Sequence, residues 1–425
     1  MFVGTTIASV FSYLFNMIMG RLLGPVQYGE FSVIMSILMI VSIGGGAILT
    51  ITMRYAGELY HQKSYALLKK IFNVFSQYVL ILSLILFVLG VIFTKPVSQF
   101  LQINYTLPVI LAFSNFIFGF LVLVNKGFLQ GVQKFVPVAL AGIIEMVIRL
   151  VLGIVLVKMG LSLTGAILAL LLAGPFCYIF TLWQVNKIFK STAGQKTNET
   201  LELDKKEILS YSWPTVITMG LLVISLNIDV IMIKHFFTLE DAGIYAAIST
   251  VGKIILYVTS PIVSVMFPMI SEKRMKGEKH YRLFIYSILI TLVGGIAIEG
   301  LYIVMPGFVM KVLYGQAYVS LYHLLPEVGL FMLSYTMVNI VVNYYLSIKN
   351  FIFVWAFALI IALQIILISL WHPSILAVVR TLASTTLLFF IIMMAYYLFL
   401  RKDQILQIFK ANNEKAEAFN NNPGV

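Results

Sequence analysis

Charge is what this sequence has least of. Lys, Arg, Asp and Glu make up 11% of the 425 residues, against roughly 25% in an average soluble domain, and that shortfall excludes an ordinary water-soluble enzyme. Cysteine is nearly absent. Cys177 is the single one and lies in an apolar run, so neither a disulfide framework nor a cysteine-based metal site can form within one chain. The five histidines, His61, His235, His280, His323 and His372, are scattered over loops and span ends and make no relay. There is no GxxxxGK[ST] loop and no HExxH helix, hence no nucleotide-powered motor, and no metal or other cofactor is expected.

What is present is apolar surface, at 60% of residues with a mean hydropathy of +0.99. Twelve spans of about 20 residues each would use about 240 residues, a little over half the chain. Hydropathy bounded by charges and Gly/Pro clusters predicts spans at 3–20, 31–52, 74–94, 107–125, 136–157, 161–183, 211–233, 243–266, 283–305, 324–346, 352–370 and 375–399. The opening segment MFVGTTIASVFSYLFNMIMG has no basic lead-in and no small-residue cleavage site, and is read as a retained first span. The net charge of +12 would suggest nucleic acid in a soluble protein, but here it records topology, and no nucleic acid partner is expected. Taking alternate connections as one side, 21 of the 29 Lys and Arg fall on the side of the two termini and five (Arg21, Lys95, Lys158, Lys234, Lys311) on the other. Arg149, Lys253 and Arg380 fall inside spans. Both termini are therefore expected in the cytoplasm, with the chain in the cell membrane. One span more or fewer would reverse the later loops and destroy that asymmetry.

The polar stretch 184–210, with STAGQKTNETLELDKKE, reads as a cytoplasmic linker between an N-lobe at 1–183 and a C-lobe at 211–400. Residues 401–425 read as a cytoplasmic tail, interfacial at first (RKDQILQIFK) and disordered at its end. The lobes start alike. NMIMGRLLGPVQYGEF, from residue 16, aligns with DVIMIKHFFTLEDAGIY, from residue 229, matching Ile18 to Ile231, Met19 to Met232, Arg21 to Lys234, Gly29 to Gly243 and Phe31 to Tyr245. Six spans per copy make the repeat parallel, about an axis along the membrane normal. The expected fold is all-α: twelve transmembrane helices in two pseudo-symmetric six-helix lobes.

On GRLLGPVQYGEFSVIMSI after the first span, NIDVIMIKHFFTLEDAGIYAAIST and MFPMIS around the seventh and eighth, and KVLYGQAYVSLYHLLP before the tenth, the chain resembles the polysaccharide and oligosaccharide flippases of the multidrug/oligosaccharidyl-lipid/polysaccharide exporter superfamily. The resemblance implies transport of a polyprenyl-diphosphate-linked oligosaccharide from the inner to the outer leaflet, through a cavity between two six-helix lobes. A monomer among membrane lipids, serving a polysaccharide assembly machinery, goes with that reading. Drug-exporting relatives also have twelve spans.

Ionisable residues inside spans cost roughly 2.5 to 3.5 kcal/mol each on insertion scales and face a partner or a hydrated cavity. Glu145 and Arg149 share a helix face and can neutralise each other. Alternatively, the Arg149 fork meets a diphosphate and Glu145 releases it when substrate or a proton arrives. Asp229 either binds a coupling cation or pairs with Lys253; the resemblance adds that an acidic residue at this NIDV position is common in the family. Lys253 is the candidate anionic-substrate contact of the C-lobe. Arg380 is a further substrate contact or snorkels to the interface, and Arg54 meets a diphosphate at the cytoplasmic mouth or anchors topology. Glu299 and Glu327, near outer span ends, read as structural. Pro175, Pro214 and Pro261 and the run Gly44, Gly45, Gly46 mark places where helices can bend.

A lipid-linked oligosaccharide flippase accounts for the repeat, the basic loops and the internal cations together. A multidrug or cation antiporter of the same superfamily is the alternative and calls for an acidic cavity. A membrane-embedded polysaccharide polymerase or glycosyltransferase calls for catalytic groups on a large outer loop, and the longest, 306–323, offers only Lys311 and His323.

Overall fold

A chain crossing hydrocarbon must close its backbone hydrogen bonds within each segment. In the computed structural model, which describes residues 2–103, 105–192 and 205–400, helices accordingly account for nearly all of these residues. They are α1 (Phe2–Val41), α2 (Ile43–His61), α3 (Tyr65–Phe100), α4 (Leu107–Gly131), α5 (Phe135–Leu156), α6 (Ser162–Thr192), α7 (Lys205–Phe236), α8 (Leu239–Gly252), α9 (Ile254–Met275), α10 (Tyr281–Val304), the short α11 (Pro306–Leu313), α12 (Leu325–Ser347), α13 (Phe353–Leu370) and α14 (Ile375–Leu400). Ten runs among the described residues are long and apolar enough to span a membrane. Two of these runs contain reversals. In α1, Gly24 leaves helical geometry at φ 72°, ψ 172°, and the rings of Phe15 and Phe31 lie 5.9 Å apart, whereas sixteen residues of straight helix would part them by about 24 Å. Between α5 and α6, a π turn (Val157–Leu161) with Gly160 at φ 90° reverses the chain, and Cys177 Sγ comes within 3.6 Å of the Ala141 carbonyl. With α2 continuing the second arm of α1, and α9 continuing α8, the described residues make twelve crossings.

The helix ends follow from sequence. Pro108, Pro306 and Pro326 sit in the first turn of α4, α11 and α12, where a missing N–H costs nothing. Four helices end alike: Lys63, Gln102, Gln133 and Lys349 take left-handed backbone, and the next residue's N–H bonds a carbonyl five residues back, as in Ser64 to Leu59 at 3.0 Å and Lys134 to Leu129 at 2.8 Å. This is the Schellman closure, and it makes very short connections.

The expected spans hold while several bounds move. The loop expected at 21–30 is a reversal at Gly24, so the second span starts at Pro25, and its interruption falls at Ser42, just before the three glycines. Helix α4 runs past 125 and takes in Lys126, while α7 runs to Phe236 and takes in Lys234; both lysines had been read as loop cations. The eighth span is interrupted at Lys253. Of the stretch read as a linker, α6 covers residues up to Thr192 and α7 resumes at Lys205, with 193–204 outside the described residues, as is the tail at 401–425.

Packing repeats between the lobes. In the N-lobe α4 is the centre, against α2, α3 and α6; in the C-lobe α12 is the centre, against α9, α10 and α14. These are the fourth and tenth crossings, each packed on the equivalent three. The lobes meet where the first arm of α1 turns and where α8 begins. Gly29 lies so close to Gly243 that a Cβ on it would stand 2.8 Å from the Gly243 Cα, and a Cβ on Gly243 would strike the Pro25 carbonyl. Gly29 and Gly243 are matched in the repeat, and a residue that touches its own mate lies on the pseudo-two-fold axis. Gly243→Leu is expected to destabilise the protein by about 1–3 kcal/mol through overpacking, read as a lower melting temperature. Gly300→Leu, at a helical glycine with no atom within 4 Å of a Cβ, should leave it unchanged or raised.

Candidate functional site

Around the paired glycines, side chains lock the same end, here called the Gly24 face. Arg21 Nε donates to the Leu313 carbonyl at 2.9 Å and Nη2 to that of Val312, so an N-lobe arginine caps the C-terminus of C-lobe helix α11. The Tyr28 hydroxyl lies 3.0 Å from that of Tyr314 and 3.2 Å from Thr250 Oγ1, and Tyr318 donates to the Gly20 carbonyl. His235 stacks on Phe100 at 4.1 Å and donates from Nδ1 to its carbonyl at 2.9 Å.

Beyond this seal, towards the face that carries residue 2, the first crossing and the eighth part around a cleft of about 490 Å³. From the N-lobe, Thr6, Ser9, Ser12, Tyr13 and Asn16 line it, at spacings of three and four that place them on one helix face. Thr250, Ile254, Tyr257 and Pro261 line the other wall. The lining mixes these hydroxyls, one amide and two phenol rings with the aliphatic side chains of Val10, Leu14, Ile254, Val258 and Pro261, and no charged side chain is among the described lining residues. No member of this ladder is ionisable, so a search for charge inside spans does not find it; the period of Ser and Thr in the first span is the signal that does.

The charges sit beside the cleft, in each lobe. A second cavity of about 230 Å³ lies inside the N-lobe, lined by Lys126, Glu145, Arg149, Asn115 and Ser42 among others. Glu145 and Arg149 meet as the helix spacing foretold, at 3.2 Å. Lys126 joins them, its Nζ 3.1 Å from the other Glu145 oxygen. The carboxylate is thus shared by two cations, and the cluster keeps one surplus positive charge. Arg149 Nε is buried without a hydrogen-bond partner, and its guanidinium carbon lies 6.0 Å from the centroid of the Phe15 ring on the first crossing. Lys126 is not legible as a site residue in the sequence because its own charge bounds the fourth span and places it in a connection.

In the C-lobe, the expected pairing of Asp229 with Lys253 is not formed. Asp229 is fully buried, and its Oδ2 accepts from Tyr245 Oη at 3.0 Å and Ser249 Oγ at 2.7 Å. Those residues are one helical turn apart on α8 and both bond the same oxygen; Asp229 Oδ1 is buried with no hydrogen-bond partner, and Lys253 interacts with the carboxylate electrostatically without an ion-pair contact. Lys253, a further turn along at the α8–α9 break, donates to Asn227 Oδ1 at 3.4 Å and sits between the cleft residues Thr250 and Ile254. Arg380 is exposed at the Gly24 end of α14, with Nε and Nη2 on one oxygen of Glu327 at 3.1 and 2.6 Å. Arg54 is exposed on α2 near the opposite face. The structure therefore joins Glu145 with Arg149, and sets Arg380 and Arg54 at the two membrane faces. Lys234 was counted as a loop cation; it is 1% exposed, without a hydrogen-bond partner, and interacts electrostatically with the buried Glu30 across the lobe interface.

The family model described as polysaccharide biosynthesis protein matches residues 1–273. No curated protein matches the chain in sequence. Among solved structures, a multidrug resistance MATE family transporter of the MOP superfamily in an inward-facing conformation superposes with a TM-score of 0.70 at 13% identity, over 92% of this chain and 93% of that one. The lipid II flippase MurJ in an inward closed conformation gives 0.66 at 16% identity, over 95% and 88%. An outward-facing MATE transporter gives 0.60 at 16% identity, over 93% of each. At these identities the likeness is one of fold.

Removing the shared carboxylate leaves two buried cations facing each other. Glu145→Ala is expected to cost about 3 kcal/mol or more, measured by thermal unfolding in detergent. Lys126→Met, which leaves the Glu145–Arg149 pair, should cost clearly less, and the double variant should lose less than the sum.

Proposed function

The chain belongs to the polysaccharide biosynthesis protein family, and from that premise we propose that it moves a polyprenyl-diphosphate-linked oligosaccharide from the inner to the outer leaflet by alternating access between its lobes. The observation that carries the reading is the chemistry of the interlobe cleft. A ladder of hydroxyls and an amide, Thr6, Ser9, Ser12 and Asn16, runs along one wall, and the rings of Tyr13 and Tyr257 flank it. Sugars present hydroxyls and weakly apolar ring faces, which such a wall bonds and stacks. A cationic drug calls for a carboxylate, and none is among the described lining residues.

Orientation follows from charge. The face carrying residue 2 bears most of the basic residues, and moving Lys126 and Lys234 into helices leaves that imbalance in place. We therefore take the open end of the cleft as cytoplasmic, both termini with it, in the cell membrane. In this conformation the cleft accepts the head group from the inner leaflet while the prenyl chain stays in lipid. Carrying a diphosphate and its sugars through hydrocarbon unaided is prohibitive, and a hydrated wall with fixed cations beside it lowers that barrier. Lys253, between two cleft residues, is the C-lobe contact for the diphosphate. Arg149, with surplus charge beside it, serves the N-lobe, and Glu145 holds it until the anion arrives. Arg54 meets the substrate at the cytoplasmic mouth and Arg380 at the far face. Asp229 serves coupling or gating.

The test is transbilayer movement of a labelled polyprenyl-diphosphate oligosaccharide in proteoliposomes, with a cationic dye assayed alongside. Wild-type protein is expected to move the lipid and not the dye. Lys253→Ala and Arg149→Ala should reduce the rate at least tenfold while inserting and purifying normally. Wild-type flux in both variants would remove the assigned contacts. Dye transport driven by an ion gradient with the lipid stationary would replace the flippase reading with that of a drug exporter.

A further inference from the structure

Helices α10 and α12 cross closely in the C-lobe through two small residues. Gly295 on α10 leaves room for Leu333, and one turn on, the carboxyl of Glu299 is seated on Gly329 of α12. A Cβ on Gly329 would overlap Glu299 Oε2 and come within 2.9 Å of the Tyr302 ring. Glu299 is 8% exposed, and its Oε2 is buried with no hydrogen-bond partner. The neighbouring hydroxyl does not serve it, because Tyr302 Oη donates instead to the Val251 carbonyl at 2.7 Å.

The charged surroundings offer no counter-ion. Helix α12 carries Glu327 alone, two residues before Gly329, and that carboxylate is already held by Arg380 of α14. On α9 the first charged residue is Glu272, at the opposite membrane face; its only titratable neighbour nearer by is Tyr257, which lines the cleft. Lys311 on α11 is exposed, and Lys253 is engaged by Asn227. A bare carboxylate in such a slot carries a desolvation cost that nothing there offsets, whereas a neutral carboxyl fits it.

We propose that Glu299 is a proton-binding site of the C-lobe, loaded while the Gly24 face is closed, and that loss of its proton drives the carboxylate off Gly329 and loosens α10 from α8. The slot sits where a proton changes the packing between lobes. Tyr302, one turn from Glu299, is bonded to the last turn of α8, the helix that carries Gly243 and Thr250 into the interlobe seal. Glu327 and Arg380, 25% and 63% exposed in their side chains, lead from the slot to the Gly24 face and give the proton a polar route. By reciprocity, whatever opens that face lowers the affinity of Glu299 for its proton. The inference stands on the C-lobe alone and holds for any substrate of the cleft.

The test needs no transport assay. Full-length protein in lipid nanodiscs is titrated with pH while the carbonyl stretch of protonated carboxyls is followed in the infrared, and thermal stability is measured at each pH. Wild-type protein is expected to show a protonated-carboxyl band at neutral pH that persists in Asp229→Asn and is missing in Glu299→Gln. Because the folded state holds the proton, wild-type stability is full at low pH and falls as the proton is lost on raising pH. Glu299→Gln, which mimics the loaded form, should lack this component of the pH dependence and keep the rest. Glu299→Asp, with its carboxyl withdrawn from Gly329, should keep a band but titrate at a shifted pH. An identical band in Glu299→Gln, or an unchanged titration in Glu299→Asp, overturns the proposal. So does stabilisation of wild type but not Glu299→Gln by sodium at constant ionic strength, which would make the slot a metal-cation site.

Discussion

The lobes are held together by backbone against backbone. At Gly29 and Gly243 two helices approach so closely that no side chain fits between them, and the neighbouring seal depends on that approach. Arg21 reaches the end of α11, Tyr28 reaches Thr250 and Tyr314, and Tyr318 reaches the Gly20 carbonyl because the glycines bring the two lobes within side-chain reach. The contact is also where the internal symmetry meets itself. Pinning the lobes on their axis at one face leaves the cleft to widen towards the other, so the position of the opening is a consequence of where side chains were omitted.

Charge is distributed by a different logic in each lobe. The N-lobe gathers Lys126, Glu145 and Arg149 around one cavity, which keeps ionised groups inside the membrane at tolerable cost because each has an opposite neighbour. Apart from the Glu327–Arg380 pair at the Gly24 face, the C-lobe separates its ionisable groups. One oxygen of Asp229 accepts from two hydroxyls while the other has no hydrogen-bond partner, Lys253 is held by an amide, and Glu299 Oε2 by nothing. Paired clusters of the first kind resist small changes in their surroundings, and isolated groups of the second kind respond to them. No charged side chain is among the described residues that line the cleft between the lobes, and the buried charges lie behind its walls.

Much of this was legible in the chain. Hydropathy with the Lys/Arg asymmetry gave the number of crossings, and the Gly29–Gly243 match gave the repeat, because both depend on regularities that run along the sequence. The Glu145–Arg149 pair was legible because it lies within one helical turn. Lys126 and Glu145 are nineteen residues apart, and only the packing of α4 against its neighbours brings them together. The Asp229–Lys253 pairing failed for a related reason. Tyr245 and Ser249 sit on the same face of α8 and bond one oxygen of Asp229, while Lys253 goes to Asn227, and a list of charges contains neither hydroxyls nor amides. Residues 21–30 looked like a loop by composition, whereas a single glycine turns the chain and leaves the rest helical.

The breaks at Ser42 and Lys253 both interrupt the crossings that carry the interlobe glycines, the second and the eighth, within one helical turn of equivalent positions. Each break leaves a long distal rod: α2 has 19 residues and α9 has 22, or about 28 and 33 Å at 1.5 Å per residue. Leverage follows. A bend of about 10° at Lys253 would sweep the far tip of α9 through about 6 Å at that length, with hardly any displacement at Gly243. Matched elbows in both lobes thus give the molecule a pair of levers that swing at the far face while the fulcrum at the glycines stays almost still.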